Sequence, residues 1–435
     1  MFTKKTKADG PTRDRVRSAR FASKPHDHGT LCCILPPYVL AQIAINGSEE
    51  QRRSAANTLT LSESLRSARS VAFRPQAAPR SGPMQRRVYD AHNLQTLPGE
   101  LVRAEGDDPT DDVAVNEAYD GLGATYDLYA EVYGRDSIDD AGMDLPASVH
   151  FDVAYDNAFW DGTQMVFGDG DGELFNRFTI SLDVIGHELT HGVTEIEAGL
   201  VYFRQSGALN EHVSDVFGSL VKQYAAQESA DEADWLIGEG LLADGVQGVA
   251  LRSMKAPGTA YDDPVLGKDP QPANTSGYVR TMEDNGGVHI NSGIPNHAFY
   301  LAATALGGNA WEKAGEIWYA TLLDTRMPTR IGFRGFATLT IQNAGRLYGP
   351  SSDEQTAVRE AWAQVGVAVG GTARGPWGYM GPPAIAAEGG ARPLRPWEAG
   401  AGDSSGGTSD ASRGDGTKVA ARSAATKSRR ARSSR

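Results

Sequence analysis

Residues 187–191 (HELTH) combine residue types and a spacing that suit a metal site. On an α-helix, residues four apart lie on one face about 6 Å apart, so the imidazoles of His187 and His191 can reach one zinc ion. Glu188 then lies beside a water on that metal, where a carboxylate can act as a general base. The alternative is that the segment forms only a charged face of a helix.

A second cluster, residues 207–215 (GALNEHVSD), supplies what the first one lacks. A zinc site with two histidines needs a third protein ligand and, for catalysis, one open position. Glu211 and Asp215 are four residues apart and share a helix face. One carboxylate can bind the metal while the other accepts the distal N–H of a ligating histidine. The flanking sequence therefore favours a metal site built by two helices.

Residues 284–293 (DNGGVHINSG) form a third polar cluster. In one interpretation, His289 donates a hydrogen bond to a developing oxyanion, and Asp284 keeps it protonated. In the other, Asn-Gly-Gly forms a turn, because these residues tolerate positive φ, and His289 is a buried structural histidine. The residues of this cluster alone leave both interpretations open.

Two different patterns along the chain must position these clusters. Between Val88 and about Gly168, short β-like runs such as residues 148–155 alternate with a helix over residues 111–133 and with Gly-rich turns. From Ile180 onward, apolar residues recur at three-to-four spacing, which indicates helices. The predicted helices span residues 180–195, 207–223, 295–306, 308–323, 331–347 and 352–365. The chain is thus predicted to be α+β, with a mixed half followed by a helical half.

Composition excludes several classes of protein. The 435 residues include 22% charged and 40% hydrophobic side chains, which is typical of a globular protein. The apolar runs fall short of the ~20 residues needed to cross a bilayer, so we expect no membrane partner. The only two cysteines, Cys32 and Cys33, are adjacent, which excludes a disulfide framework.

The charges are distributed unevenly. Residues 1–87 carry 16 Lys/Arg against 6 Asp/Glu, a net charge of +10, and residues 403–435 carry 8 against 3, a net charge of +5. Residues 88–402 carry 18 against 46, a net charge of −28. Opposite charges favour association of the N-terminal segment with this acidic body.

The ends of the chain are predicted to lie outside the packed body. Residues 1–30 are basic and polar, and we expect them to be disordered. Residues 31–87 form a short leader with an exposed linker rich in Pro and Arg at its end. Residues 370–435 are a low-complexity tail. Its basic end could contact nucleic acid, but we expect a solvated, dispensable end and no nucleic-acid partner.

The first 30 residues are not followed by an uninterrupted apolar run and a small-residue cleavage site. We therefore expect no Sec signal peptide. This predicts a cytoplasmic protein, with secretion by a signal-less route as the alternative.

Five motifs in register resemble those of the thermolysin family of zinc endopeptidases: HELTH, GALNEHVSD, NAFWDG at residues 157–162, LRSM at residues 251–254, and DNGGVHINSG. The resemblance covers about residues 88–369, and the short leader with CILPPYVL resembles the protealysin branch of the family. It implies a thermolysin-like two-lobed zincin preceded by a short propeptide. The implied segments are the propeptide and cleavage linker at 31–87, a mixed α/β catalytic lobe with the active-site helix at 88–195, and a helical lobe at 196–369.

The resemblance also implies the residues of the site. The implied ligands of one catalytic zinc ion are His187, His191 and Glu211, with Asp215 in contact with His187. The implied catalytic groups are Glu188 as general base, Tyr202 and His289 as donors to the tetrahedral intermediate, and Asp284 as the support of His289. The residues implied to hold the substrate are Asn157, Ala158 and Arg252, and those implied to line the main specificity pocket are Phe175, Phe178, Val184, Ile237 and Leu251.

On this resemblance we expect a neutral endopeptidase that hydrolyses internal peptide bonds with a metal-activated water, on the amino side of a bulky hydrophobic residue. Its partners would be peptide and protein substrates. Its own propeptide would act as an intramolecular inhibitor, so the chain would be a zymogen. We expect it to be a monomer. The rival hypothesis is a catalytically silent scaffold that keeps zinc as structure. The intact Glu188, Tyr202 and His289 argue against that scaffold.

The adjacent cysteines allow two interpretations. A thiolate of Cys32 or Cys33 could cap the zinc ion, because soft thiolates bind zinc well. Alternatively, both are small buried residues of the leader.

Thermolysin relatives usually hold a double calcium site, and three acidic ligands of that site are matched here by Asp183, Asp234 and Glu239. Lys222 stands where a shared Glu is expected, and Leu236 replaces another Glu. An ammonium group among carboxylates can neutralise them in place of an ion. We therefore expect at most one calcium ion.

Overall fold

The computed structural model describes residues 32–71 and 84–369, without the side chains of residues 68–71. All of these residues lie in one structural unit, Met1–Ile385. The predictions for residues 1–30, for most of the linker and for residues 370–435 lie outside the described residues.

The leader contains two helices, α1 (Pro37–Asn46) and α2 (Glu49–Val71). Pro37 lies in the first turn of α1, where the missing N–H has no intrahelical partner to lose. Ser48 and Gln51 cap α2 reciprocally: the Ser48 hydroxyl accepts from the Gln51 N–H, and the Ser48 N–H donates to the Gln51 side chain. Pro37 therefore marks the start of α1, and the Ser48–Gln51 pair marks the start of α2.

Five strands form one mixed sheet: β1 (Arg86–Asp90), β2 (Glu100–Ala104), β3 (Leu145–Val149), β4 (Ala158–Trp160) and β5 (Met165–Phe167). The strand order is β2-β1-β3-β5-β4, with β1, β3 and β5 parallel and the two outer strands antiparallel to their neighbours. Strand β4 is therefore an edge strand, and one side of its backbone is open to pairing with another segment. Strand β1 begins at Arg86, inside the segment predicted as linker.

Three helices complete the first lobe and join it to the second: α3 (Val113–Asp127), which continues as a π-helical turn, α4 (Leu182–Glu197) and α5 (Arg204–Ala226). A Cβ atom on Gly186 would lie 3.1 Å from the Cα atom of Gly218, so α4 and α5 approach each other closely at these glycines. The two helices that carry the predicted metal ligands therefore cross almost backbone to backbone.

The second lobe is mainly helical. Its helices are α6 (Asp284–Asn291), α7 (Gly293–Leu306), α8 (Lys313–Leu322), α9 (Phe333–Tyr348) and α10 (Asp353–Gln364), with short ladders β6 (Leu236–Ile237) with β7 (Arg252–Ser253) and β8 (Asp262–Asp263) with β9 (Gly267–Lys268). Trp318 and Trp362 stack in its core, and Trp318 donates to the buried His212. The predicted α+β fold with a mixed and a helical lobe is confirmed.

In the second lobe, the structure adds a helix that periodicity did not predict. Helix α6 begins with consecutive residues at positive φ, among them Asn285, Gly286 and Gly287. Such a start carries no apolar repeat for sequence analysis to detect. In the described part of the chain, no helix is both long and apolar enough to cross a membrane.

Candidate metal centre

The crossing of α4 and α5 brings the first two predicted clusters together. The Nε2 atoms of His187 and His191 are 3.0 Å apart. The carboxylate oxygens of Glu211 lie 3.5 Å from these nitrogens. All three side chains are buried, so three metal-ligating groups surround one point that water reaches poorly.

Hydrogen bonds determine which ring nitrogen of each histidine faces that point. The Nδ1 atom of His187 donates to Asp215 over 2.8 Å, and that of His191 donates to Asn210 over 2.8 Å. A neutral imidazole that donates from Nδ1 is a bare acceptor at Nε2. Burial lowers the pKa of His191 to about 3, which keeps its ring neutral.

The donor atoms fit a zinc ion. A tetrahedral zinc with bonds of about 2.0–2.2 Å separates its ligand atoms by about 3.3–3.6 Å, close to the distances found here. The Oε2 atom of Glu211 is buried and accepts no hydrogen bond from the described part of the chain. Each oxygen of the Glu211 carboxylate also lies 3.5 Å from one of these imidazole nitrogens, and such a pair of buried acceptors is unfavourable unless a cation binds between them. Two imidazoles and one carboxylate also form the ligand set of many catalytic zinc sites.

Glu188 is held between the active-site helix and the sheet. It follows His187 on α4 and is fully buried. Its Oε2 atom accepts a hydrogen bond from the backbone N–H of Trp160, on edge strand β4, over 3.1 Å. The predicted general base is therefore fixed beside both the metal ligands and the strand along which a peptide can bind.

Helix α6 places His289 on the other side of Glu211. His289 Nε2 lies 3.5 Å from Glu211 Oε2 and 3.2 Å from the Tyr202 hydroxyl, while its Nδ1–H donates to Asp284 over 2.5 Å. Burial alone would lower the pKa of His289, but the carboxylates of Glu211 and Asp284 outweigh burial and raise it. The Tyr202 hydroxyl donates to Glu211 in this structure. Tyr202 and His289, the predicted oxyanion donors, thus lie beside Glu211, a predicted metal ligand.

The backbone of Asn-Gly-Gly explains how one aspartate can hold His289 twice. Asp284, Asn285 and the two glycines that follow all have positive φ. This turn lets one Asp284 oxygen accept from His289 Nδ1 and the other accept from the His289 N–H over 2.9 Å. The turn interpretation and the donor interpretation of this cluster are therefore compatible, because the turn holds the side chain that is predicted to be the donor.

Asp215 connects His187 to Arg252. It accepts 2.7 Å and 3.0 Å hydrogen bonds from the Arg252 guanidinium and a 2.8 Å bond from Asn296. Burial would raise the pKa of Asp215, but the guanidinium and the His187 hydrogen bond hold it well below its usual range. The carboxylate is therefore ionised, and one buried anion orients both a predicted metal ligand and a predicted substrate-binding residue.

The start of the leader crosses this centre as an extended strand. Residue Cys33 pairs antiparallel with Phe159 of β4, and the Ile34 N–H donates to the Ala158 carbonyl over 3.3 Å. The Asn157 side chain accepts from the Leu35 N–H over 3.0 Å and donates to the Leu35 carbonyl over 3.3 Å. The predicted peptide-binding residues thus hold a segment of the same chain.

The two adjacent cysteines face different surroundings. The Sγ atom of Cys32 lies within 4.8 Å of ligand atoms of His191 and Glu211. Cys33 packs in an apolar cluster that includes Phe151. Burial raises the pKa of the Cys33 thiol to about 11, so Cys33 is protonated at neutral pH. Only Cys32 is placed to reach the metal centre.

The five residues predicted to line the specificity pocket are all buried. The rings of Phe175 and Phe178 pack 6.0 Å apart. The Leu251 N–H donates to the Ile237 carbonyl over 3.0 Å, beside Arg252. Val184 lies on α4 one turn before the predicted metal ligands. Their role in specificity stays a prediction.

Lys222 lies within the acidic cluster predicted as a calcium site. Its ammonium group donates to Asp234 over 2.6 Å and to Glu239 over 2.7 Å, and it lies 3.7 Å from the buried Asp183. Burial raises the pKa of Asp183 to about 6, although Lys222 opposes this rise. A cation supplied by the chain therefore occupies the centre of the cluster, which supports the expectation of at most one calcium ion.

We expect Lys222→Ala to lower the free energy of unfolding by about 1–3 kcal/mol, because it leaves the buried Asp183 carboxylate without its cation. Added calcium should leave the thermal unfolding midpoint of the zinc-loaded, unmodified protein unchanged. Thermal unfolding of zinc-loaded protein with and without added calcium, with the exposed Lys268→Ala as the control, measures both effects. A calcium-induced rise of several degrees in the unmodified protein would contradict the substitution of lysine for calcium.

Three buried side chains of the site were not predicted. Asn210 orients His191, Asn296 holds Asp215, and Gln271 donates to the His289 carbonyl over 2.7 Å. Asn210 precedes Glu211 within the predicted cluster, so its position offered a signal. Asn296 and Gln271 reach the site from distant segments, and nothing in their sequence context indicates it.

Two family models match consecutive parts of the chain. The family model described as the thermolysin metallopeptidase catalytic domain matches residues 66–195. The model described as the thermolysin metallopeptidase alpha-helical domain matches residues 198–367. Together they cover both lobes.

Individual relatives match most of the chain. An extracellular metalloprotease of Pectobacterium carotovorum subsp. carotovorum is 55% identical over 343 residues, which cover 78% of this chain and 97% of the relative. Protease PrtS of Photorhabdus sp. (strain Az29) is 51% identical over 344 residues, or 77% of this chain and 92% of the relative. The solved precursor of protealysin, a metalloproteinase from Serratia proteamaculans, matches with a TM-score of 0.72 at 56% identity, covering 78% of this chain and all of that one.

The expectation of a cytoplasmic location is wrong. The Pectobacterium relative is named an extracellular metalloprotease, which points to secretion rather than to the cytoplasm. The expectation depended on a missing apolar signal segment, and that criterion reports on one export route only.

Proposed function

Since the chain belongs to the thermolysin family of metallopeptidases, we propose that it is a zinc-dependent neutral endopeptidase held latent by its own leader. One observation carries the proposal. The bare nitrogens of two histidines and the oxygens of Glu211 converge beside Glu188, in a groove where edge strand β4 already pairs with an extended segment. Such a site can bind a peptide, polarise its scissile carbonyl and supply a general base within one buried space.

Zinc bound by His187, His191 and Glu211 would supply a Lewis acid that polarises the scissile carbonyl and promotes loss of a proton from water. Glu188 accepts that proton as the water oxygen attacks, and then delivers it to the departing amine. His289, held by Asp284, donates a hydrogen bond to the developing oxyanion, and Tyr202 serves as a second donor. Such preorganised donors are worth about 2–4 kcal/mol each.

The same residues orient the substrate. Asn157 and the Ala158 backbone hold a peptide as an added strand on β4, and Arg252 binds the carbonyl that follows the scissile bond. The apolar lining, Phe175, Phe178, Val184, Ile237 and Leu251, supports cleavage on the amino side of a bulky hydrophobic residue. In the leader, the buried residues Ile34 and Leu35 follow Cys33 along this groove, which supports the same preference.

We further propose that residues 31–87 form the propeptide and its cleavage linker, and that the mature, monomeric enzyme comprises the lobes at 88–195 and 196–369. The leader blocks the strand position that a substrate would use. Maturation then requires cleavage between residues 70 and 90, which separates the leader helices from the catalytic lobe.

A direct test is hydrolysis of a quenched peptide that carries an internal Leu or Phe. We expect activity that rises as the leader is lost, and that falls at least about 100-fold with a zinc chelator and returns with added zinc. A peptide with Asp at the same position is the control for specificity. Stoichiometric zinc binding without hydrolysis in either form would contradict the proposal and favour a silent scaffold.

We propose that Cys32, and not Cys33, caps the metal in the latent form. Cobalt substitution tests this choice, because thiolate binding gives Co²⁺ an intense near-ultraviolet band. We expect the band in the unmodified precursor and in Cys33→Ser, and its loss in Cys32→Ser. An identical spectrum in Cys32→Ser and the unmodified precursor would exclude the cap.

A further inference from the structure

We propose that the Cys33–Ile34 peptide bond is itself a substrate bond, because the leader lies in the site in the register and direction of a substrate. The enzyme would hydrolyse this bond in its own chain. This inference rests on the proposed peptidase function and goes beyond it by naming the bond.

The hydrogen bonds along β4 fix the register of the leader strand. The Ile34 N–H donates to the Ala158 carbonyl, and the next residue, Leu35, exchanges two hydrogen bonds with the Asn157 side chain. A slip by one residue would exchange the two faces of the strand and break all of these bonds. One register is therefore strongly preferred.

Two side chains identify which bond lies in the scissile position. His289 Nε2 lies 3.2 Å from the Cys33 carbonyl oxygen, and the Arg252 guanidinium donates to the Ile34 carbonyl over 3.1 Å. In the proposed mechanism, His289 serves the reacting carbonyl and Arg252 serves the following one. The reacting carbon is therefore that of Cys33, and the departing nitrogen is that of Ile34.

The residue that follows the bond also fits. Ile34 is completely buried, as a bulky apolar residue on the amine side of a scissile bond should be. The chain beyond it is fixed by Pro36 and Pro37 and enters α1 immediately. Because this segment is rigid, it loses less conformational entropy than a flexible peptide would lose on binding in the same geometry.

The rest of the leader is anchored independently of residues 1–33. Ser54 on α2 donates to Asp156 over 2.9 Å, and the Ser62 and Tyr155 hydroxyls are hydrogen-bonded at 2.8 Å. Cleavage at Cys33–Ile34 would therefore leave the new N-terminus of Ile34 docked, and only the segment that ends at Cys33 would be free to leave.

The step is an ordinary hydrolysis. The attacking water needs the metal position that the Cys32 thiolate holds in the latent form, so that thiolate leaves the metal first. The water oxygen then forms a bond to the Cys33 carbonyl carbon, and the bond from that carbon to the Ile34 nitrogen breaks. Glu188 transfers one water proton to that nitrogen. The second water proton leaves the new carboxyl group and is taken up by the Ile34 amine, so the products are a carboxylate at Cys33 and an ammonium group at Ile34. No oxidant or other co-reactant takes part.

Zinc-loaded full-length protein tests the inference by intact-mass spectrometry and N-terminal sequencing over time. We expect a chain that begins at Ile34, formed at a first-order rate that tenfold dilution leaves unchanged, because the bond is presented within its own molecule. Ile34→Asp should slow its formation at least tenfold by placing a charge in a buried position, and Ile34→Leu should preserve it.

Hydrolysis of the quenched peptide, measured in the same samples, separates the two claims. If Ile34→Asp only released the leader, peptide hydrolysis would rise while cleavage at residue 33 fell, which still supports the inference. Active samples in which every new N-terminus lies between residues 70 and 90, and the released leader is intact across Cys33–Ile34, would overturn it. Samples that hydrolyse neither the quenched peptide nor the Cys33–Ile34 bond would overturn the proposed function together with this inference.

Discussion

Glu188→Gln is expected to reduce kcat/KM for peptide hydrolysis by about 10²–10⁴-fold, the usual contribution of a general acid–base. Glutamine has the shape of glutamate and can still accept the hydrogen bond that the Trp160 N–H donates. It cannot accept a proton from water. The zinc content and the thermal unfolding midpoint should therefore stay close to those of the unmodified protein.

The control for this variant is Glu360→Gln, the same change at an exposed position on α10. Rates are to be compared on fully processed protein, because a slower release of the leader would also lower the apparent activity. If Glu188→Gln kept more than about a tenth of the activity, the base would have to be another group, and the assigned mechanism would fail.

Asp215→Ala is expected to weaken zinc binding by about 10–100-fold, because His187 loses the acceptor that fixes its tautomer. It should also lower the free energy of unfolding by about 3–5 kcal/mol, because the buried Arg252 guanidinium loses its carboxylate. Competition with a chromogenic chelator measures the zinc affinity, and urea unfolding of the metal-free protein measures the stability.

Two further variants separate the two roles of Asp215. Arg252→Met in the Asp215→Ala background removes the unpaired cation, so we expect it to recover part of the stability but none of the zinc affinity. Asp262→Ala, at an exposed position, is the control for loss of an aspartate. Unchanged zinc affinity in Asp215→Ala would show that the carboxylate does not orient His187.

The sequence could indicate the residues of the candidate metal centre because their geometry is local. The spacing of four between His187 and His191 puts both on one helix face wherever that helix lies. The same spacing joins Glu211 to Asp215. The lobes could be predicted for a related reason: helical periodicity dominates after Ile180, and it reflects only which face of each helix is buried.

Other features depended on contacts between distant segments. The approach of α4 and α5 depends on Gly186 and Gly218, whose missing side chains let two backbones meet. Asn296 and Gln271 reach the centre from other parts of the helical lobe. No local pattern records such contacts, because each residue satisfies its own helix or loop equally well without them.

The cysteine pair shows which features the sequence determines and which depend on the tertiary structure. By itself, the sequence determined that a thiol lies near the start of the leader and that the leader's charge suits the acidic body. Only the tertiary structure decided between Cys32 and Cys33. Adjacent residues of an extended strand point to opposite sides, so the register of that strand on β4 directs Cys32 to the metal ligands and Cys33 into the apolar core.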